Sequence, residues 1–393
     1  MARKPPTLPA GQTSGNIDVA TVTSMTGNAA DVTAIVTDVT IINLGTVGVT
    51  VTVNDTSANI QANMATLLSN AKVDVIDSTE DGVAMNLTAA QATSASNMAK
   101  LQSADTINVA DTSANIQGNL AALLAETKVD RIDSTENSVA LTITAAQEAV
   151  AANMAKLQAA DTITASDTTA NLQAALVALL ADTKVDNIDS TENSVALTIS
   201  AAQEAVAANM AKLQTADTIT VSDTSANIQA NLVALLADTK VDNIDSTENA
   251  TAFNVTAAQA VVAANVAKLQ AGDTITVSDT TANIQTNLAA LFAEAKVDNI
   301  DSTEDGTAIN VTAAQAIVAA NVAKLQTADT ITVSDTSANI NSNLAALFAE
   351  TKVDNIDSTE NSVAINVTSA QAIVAANVAK LQSTDTVTVA DTT

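Results

Sequence analysis

The amino-acid sequence predicts an α/β repeat solenoid of six 56-residue units, each with two short helices and about three short strands. Three observations lead there. Asp-Thr recurs at Asp55, Asp111, Asp167, Asp223, Asp279, Asp335 and Asp391, always 56 residues apart and with no insertion or deletion between copies. Linkers between independent domains drift in length, whereas stacked coils hold register. The chain is 47% apolar but only 1% aromatic (Phe253, Phe292 and Phe348), so Ala, Val, Ile and Leu must fill its core. Those side chains suit thin, closely packed layers better than one large globular core. Finally, each unit is amphipathic throughout and cannot bury its apolar faces alone, which stacking on neighbours resolves.

Residues 1–54 fall outside the register and are read as an N-terminal arm with a cap or docking module. Within it, Asn28–Thr37 suggests a degenerate helix, and Val39–Asn43 and Val47–Val53 suggest strands. Residues 55–390 hold the six units, of which Asp223–Ser278 serves as the type. Thr224 and Ser225 offer N-cap hydroxyls, and Ile228, Leu232, Leu235 and Leu236 then recur at helical spacing. Val241–Thr247 is β-branched and extended, and Glu248-Asn249-Ala250 makes a turn. The equivalent turns Glu80-Asp81-Gly82 and Glu304-Asp305-Gly306 contain Asp-Gly, a hairpin signal. Phe253 and Val255 alternate with polar neighbours as a short strand. A second helix opens on the capping box Thr256/Gln259, repeated at Thr88/Gln91, Thr144/Gln147, Ser200/Gln203, Thr312/Gln315 and Thr368/Gln371. In the fifth unit its apolar stripe is Val318, Val322 and Leu325. Thr274–Val277 closes the unit as a strand with one apolar and one threonine face. Residues 391–393 open an incomplete seventh unit, so strand Thr386–Val389 is expected to lack a cap.

Composition narrows the function. The chain has no His, Cys, Trp or Tyr, which removes the usual general bases, thiol nucleophiles and zinc or haem ligands. No phosphate loop and no nucleophile–base pair stands out, and the expectation is a non-enzyme. A net charge of −28 opposes phosphate contacts, so nucleic acid is not an expected partner. No apolar run reaches membrane-spanning length, so membrane insertion is not expected either. The basic start Met1–Pro6 is not followed by a signal-peptide apolar region, so any export is expected to use no cleaved N-terminal signal.

Four residue series are candidate sites. Asp186, Asp189 and Glu192, with their copies, are oxygen-rich and are the candidate calcium ligands; a solvated acidic edge is the favoured reading over metal binding. Asn59, Asn115, Asn171, Asn227, Asn283 and Asn339 sit on the first helix and suggest a hydrogen-bonded ladder between coils. The Thr-x-Thr face (Thr162/Thr164, Thr218/Thr220, Thr274/Thr276, Thr330/Thr332, Thr386/Thr388) suggests an ice-binding array, against the plainer reading of exposed strand threonines. Two lysines per unit, Lys72/Lys100 and their copies, are expected to pair with carboxylates.

The blocks Asp-Thr-Ser-Ala-Asn-Ile-Gln-Ala-Asn-Leu (223–232) and Thr-Ala-Ala-Gln (256–259) resemble repeats in bacterial secreted and cell-surface proteins. Surface-layer-like, adhesin and extracellular-matrix arrays are of this kind. The resemblance spans residues 55–393 and implies an extracellular or cell-surface structural role without a resident cofactor. The resulting expectation is self-assembly, head to tail, into a filament, sheath or surface layer. Its joint would bring Thr386, Val387, Thr388 and Val389 of one chain against Val49, Val51 and Val53 of the next. An adhesin stalk or an ice-binding module using the Thr-x-Thr face is the alternative.

Overall fold

The computed structural model describes residues 24–29 and 50–391. They form an α/β chain of recurring strand–helix units whose strands gather into small parallel sheets. Two compact units are present: Met1–Glu192 with Ala211–Gln214, and Asn193–Met210 with Thr215–Thr393. The first holds three sheets: Ser24–Gly27/Thr50–Asp55/Val75–Ser78, Met85–Leu87/Ile107–Asp111/Arg131–Ser134, and Leu141–Ile143/Ile163–Asp167/Asn187–Ser190. The second holds Leu197–Ile199/Ile219–Asp223/Asn243–Ser246, Phe253–Val255/Ile275–Asp279/Asn299–Ser302, Ile309–Val311/Ile331–Asp335/Asn355–Ser358, and the two-stranded pair Ile365–Val367/Val387–Val389.

Each sheet is built by crossovers, as parallel pairing demands. A 13-residue helix such as Ser225–Ala237 joins the middle strand to the third. It starts where Thr224 accepts a hydrogen bond from Asn227 N–H, and it buries Ile228, Leu232, Leu235 and Leu236. The first strand reaches the middle one through the capping-box helix, for example Ala257–Ala260, and a six-residue helix, Ala263–Lys268. All six capping boxes form with both of their hydrogen bonds. The core is aliphatic, and the isoleucines at the centre of the third strands (Ile76, Ile132, Ile188, Ile244, Ile300, Ile356) are fully buried.

Two expectations need correction. The Asp-Gly turns do not make hairpins. Glu80 O accepts Val83 N–H (2.9 Å), closing a turn, but Val75–Ser78 pairs in parallel with Thr50–Asp55 while Met85–Leu87 pairs with Ile107–Asp111. Neither Gly82 nor Gly306 takes the left-handed backbone that a type I′ hairpin turn requires. Second, the expected single second helix is two helices. At Val261–Val262 the backbone leaves the helical region (Val262 φ −85°, ψ 109°), and Asn265 Nδ2 donates to Gln259 O (3.2 Å), which also accepts Val262 N–H (3.3 Å). Val318, placed on the apolar stripe by its spacing, sits at the equivalent break and is exposed; Val322 and Leu325 are buried. The structure also places position 54, where the N-terminal module was expected to end. It lies inside strand Thr50–Asp55, which pairs on one side with Ser24–Gly27 and on the other with Val75–Ser78. The helix expected over 28–37 and the strand over 39–43 lie outside the described residues, apart from Asn28 and Ala29.

Candidate assembly edge

A small parallel sheet has two edges, and unpaired edges invite other chains. The long helix closes the first-strand edge with one side-chain amide. Gln285 Nε2 donates to Asn310 O (2.9 Å) and Gln285 Oε1 accepts Asn310 N–H (2.8 Å), copying a strand partner. Gln61 with Asn86, Gln117 with Thr142 and Gln229 with Asn254 repeat the device. In the last unit Asn341 does so with Ala364 O (3.0 Å) and Asn366 N–H (2.7 Å).

The third strand closes the middle strand's other side, and its carboxylates bind back at a constant interval. Asp186 Oδ2 accepts Ile163 N–H (2.8 Å), Asp189 Oδ2 accepts Ser166 Oγ–H (3.2 Å), and Glu192 Oε2 accepts Thr169 N–H (3.0 Å). Each partner lies 23 residues earlier. Spaced three apart and engaged in this way, these carboxylates do not converge, and among the described residues no group of three or more acidic side chains is placed to hold a metal ion. They tie the third strand back to the middle strand and to the start of the long helix.

The lysines also act differently from expectation. Lys324 Nζ donates to Leu291 O (3.1 Å), Phe292 O (3.1 Å) and Glu294 O (2.6 Å), carbonyls at the end of long helix Thr281–Ala293. Lys352 Nζ donates to Val322 O (3.0 Å), Ala323 O (3.0 Å) and Leu325 O, ending short helix Ala319–Lys324. Helix C-termini leave carbonyls without partners, and a cation there is favoured by the helix dipole. Burial holds the Lys324 ammonium below its ordinary pKa, against the opposing pull of the Glu294 and Asp298 charges.

Asparagine works locally. Asn171 Nδ2 donates to Asp167 Oδ1 (2.8 Å), within one turn, so the series is a cap and not a ladder between coils. That hydrogen bond, ahead of the backbone donors Thr168 and Ala145, holds the Asp167 carboxyl below the usual range. The second asparagine series, Asn97 and its copies at the helix break, went unrecognised; its constant place in Ala-x-Asn-x-Ala-Lys was the available signal. On the Thr-x-Thr face, Thr162 Oγ1 donates to Asn137 O (2.7 Å) and Thr164 Oγ1 accepts from Asn187 Nδ2 (3.3 Å). Both threonines are half-buried.

The turn beside each third strand differs between units. Asp329 lies buried under the Glu304-Asp305-Gly306 turn, accepting Ser302 N–H (3.1 Å). Burial, and then the charges of Asp301 and Asp305, push its carboxyl up to about 6. The sixth unit has Asn361 in place of Asp305. With its amide nitrogen turned to these acceptors, Asn361 donates to Asp385 Oδ1 (3.3 Å) and to Ser358 O. Glu148 and Glu204 are also buried and raised, first by burial, but alanine holds that position in the other units, so they make no recurring site.

One sheet departs from the pattern. Among the described sheets six have three strands, and Ile365–Val367/Val387–Val389 has two. Asn341 closes its first edge, and nothing among the described residues pairs with Val387–Val389 on the other. Val387 and Val389 are 42% and 57% exposed, where Ile331 and Val333 in the equivalent places are 1% and 0% exposed. Val378 is 49% exposed against 5% for Val322. With Val367, Ala372, Leu381 and Gln382 these side chains line a groove of about 460 Å³. Of the residues expected at a joint, Thr386, Val387, Thr388 and Val389 therefore stand at an open edge, with the Thr386 hydroxyl donating to Asn361 O (2.7 Å). Val51 and Val53 do not. They are buried in a strand already paired on both sides, and Val49 lies outside the described residues.

No family model, curated protein or solved structure matches this chain. Among the described residues no helix is long and apolar enough to cross a membrane.

Proposed function

We propose that this chain is a non-catalytic structural protein of the cell exterior that assembles head to tail into a filament, sheath or surface layer. On this reading its six 56-residue units act as one solenoid. What supports the proposal is the repetition itself, the same parallel sheets, capping boxes and carboxylate ties recurring along the chain; among the described residues the sheet at Val387–Val389, closed by Asn341 on one side, leaves its valines and groove exposed on the other. Covering those valines is favourable by roughly 1.5 kcal/mol each, and pairing the strand would satisfy its backbone groups. A contact between one edge and a different surface of the next copy is heterologous, and it propagates unless its rotation closes. The exterior location rests on the resemblance of the 223–232 and 256–259 blocks to secreted repeat proteins. The Thr-x-Thr face lends less support to ice binding, because Thr162 and Thr164 are half-buried and hydrogen-bonded within the chain.

Sedimentation velocity over a concentration series tests the assembly. The native chain should form growing species, and Val389→Asp should remain monomeric with an unchanged circular dichroism spectrum. Equal assembly by both would remove the edge from the account.

A further inference from the structure

Each of the first five units buries one aspartate just ahead of its middle strand: Asp105, Asp161, Asp217, Asp273 and Asp329 are 3–4% exposed. The turn after the third strand lies over the residue that follows this aspartate. Asp81 O accepts Thr106 N–H (3.2 Å), Asn137 O accepts Thr162 N–H (3.1 Å), and Asn249 O accepts Thr274 N–H (3.2 Å). At that turn position four units carry asparagine (Asn137, Asn193, Asn249, Asn361) and two carry aspartate (Asp81, Asp305). Asn361 shows what the amide supplies there, a hydrogen shared between Asp385 Oδ1 and Ser358 O. A carboxylate has no hydrogen to offer. In the first unit the consequence is visible: Asp105 Oδ1 accepts Ser78 N–H (3.1 Å), and the buried Asp105 Oδ2 has no hydrogen-bond partner. Burying an acceptor without a donor is costly, and more so when it is charged.

The charged groups that face Asp105 are Asp77, on the third strand, and Asp81, in the turn; Asp329 faces Asp301 and Asp305 in the same way. Glu80 and Glu304 are engaged by Ser57 N–H (3.1 Å) and Thr281 N–H (3.0 Å), and Lys100 and Lys324 by helix-end carbonyls such as Asn70 O (2.7 Å) and Glu294 O (2.6 Å). Burial, and then the facing aspartates, push the Asp105 and Asp329 carboxyls up to about 6, against the pull of Ser78 and Ser302 N–H. Where the turn carries asparagine, at Asp161, Asp273 and Asp385, burial acts with one facing aspartate only, Asp133, Asp245 and Asp357 respectively.

We propose that the two Asp-Gly turns are proton-operated latches. One proton held by the pair Asp81/Asp105, or by Asp305/Asp329, takes the place of the Asn361 amide hydrogen and closes the turn over the end of its third strand. Loss of that proton sets two like charges against each other at a buried carboxyl, and the turn opens. One latch falls in each compact unit, at 80–83 in the first and at 304–307 in the second. The inference needs no second copy and stands apart from the head-to-tail reading. The closed turn binds the proton more tightly than the open one, so the latch is complete below the ordinary aspartate value of 3.8 and is lost as pH rises through about 6.

Amide hydrogen exchange, corrected for the intrinsic rate at each pH, tests it turn by turn. Val83 and Thr307 N–H close the two Asp-Gly turns onto Glu80 O (2.9 Å) and Glu304 O (2.8 Å); Val139 and Thr251 close Asn turns onto Glu136 O (2.8 Å) and Glu248 O (2.7 Å). Between about pH 5 and about pH 7.5, protection at Val83 and Thr307 should fall about tenfold, and at Val139 and Thr251 by about threefold or less. Asp81→Asn should remove the excess fall at Val83, and Asn249→Asp should create it at Thr251. Both variants copy residues that the chain itself uses at this position, so both should fold. The same pH response at Asp and Asn turns, a response at Val83 that survives Asp81→Asn, or a Thr251 indifferent to Asn249→Asp would overturn the proposal.

Discussion

The sheets Ile309–Val311/Ile331–Asp335/Asn355–Ser358 and Ile365–Val367/Val387–Val389 have nearly the same sequence and different fates. In the first, a third strand buries Ile331 and Val333; in the second, Val387 and Val389 face solvent. Capping boxes form in both, at Thr312/Gln315 and Thr368/Gln371, and so do the parallel pairs of first and second strands. Local structure is therefore set by local sequence, and burial is set by the coil that follows. Within each compact unit, a sheet therefore draws part of its burial from the element that follows it.

The largest expected effect separates the two sheets directly. Ile331→Ala should cost about 2–4 kcal/mol in urea unfolding of the monomer, and Val387→Ala should stay within about 0.5 kcal/mol. Equal costs would break the comparison. The next effect concerns the lysine ties. Lys352→Met leaves the Val322, Ala323 and Leu325 carbonyls without their shared donor and should cost about 1–3 kcal/mol. Amide exchange in Ala319–Lys324 should rise toward the rate of Ala375–Lys380. Unchanged exchange would show that the lysine is incidental.

The smallest effect comes from the turns. Asp329, raised to about 6 from 3.8, takes up a proton in the folded state between about pH 4 and pH 6, where the unfolded chain has already lost it. Stability from this group is therefore full below pH 4 and falls as pH rises through 6. Asp305→Asn, which copies the sixth unit's Asn361, removes one like charge and supplies a donor. It should raise stability at pH 7 by about 1 kcal/mol and flatten the dependence between pH 4 and 6. A melting curve that keeps its slope across that window would assign the effect elsewhere.

Much of the fold was legible because the relevant physics is local. Hydroxyl caps, the spacing of Ile228, Leu232 and Leu235, and the alternation at Phe253 and Val255 each describe one element. Much of what escaped depends on partners 22 to 33 residues away. Asp186, Asp189 and Glu192 looked like a cluster because they are close in sequence, but their partners are Ile163, Ser166 and Thr169 on another strand and helix. Lys324 looked free to pair with a carboxylate because the carbonyls it caps are backbone and leave no mark on side-chain pattern. The helix break at Val261–Val262 was hidden because valine is tolerated inside helices; the asparagine four residues on was the clue. The open edge was legible in part. Among the described residues Val387–Val389 has one partner strand, whereas the strand of Val51 and Val53 is paired on both sides, which an apolar alternation alone does not reveal.

Electron microscopy of the purified 1–393 chain, with calcium and with a chelator, tests the central claim most directly. The account predicts filaments or sheets in both conditions, since Asp186, Asp189 and Glu192 already accept hydrogen bonds from backbone and hydroxyl donors. Monodisperse single particles in both conditions would contradict it.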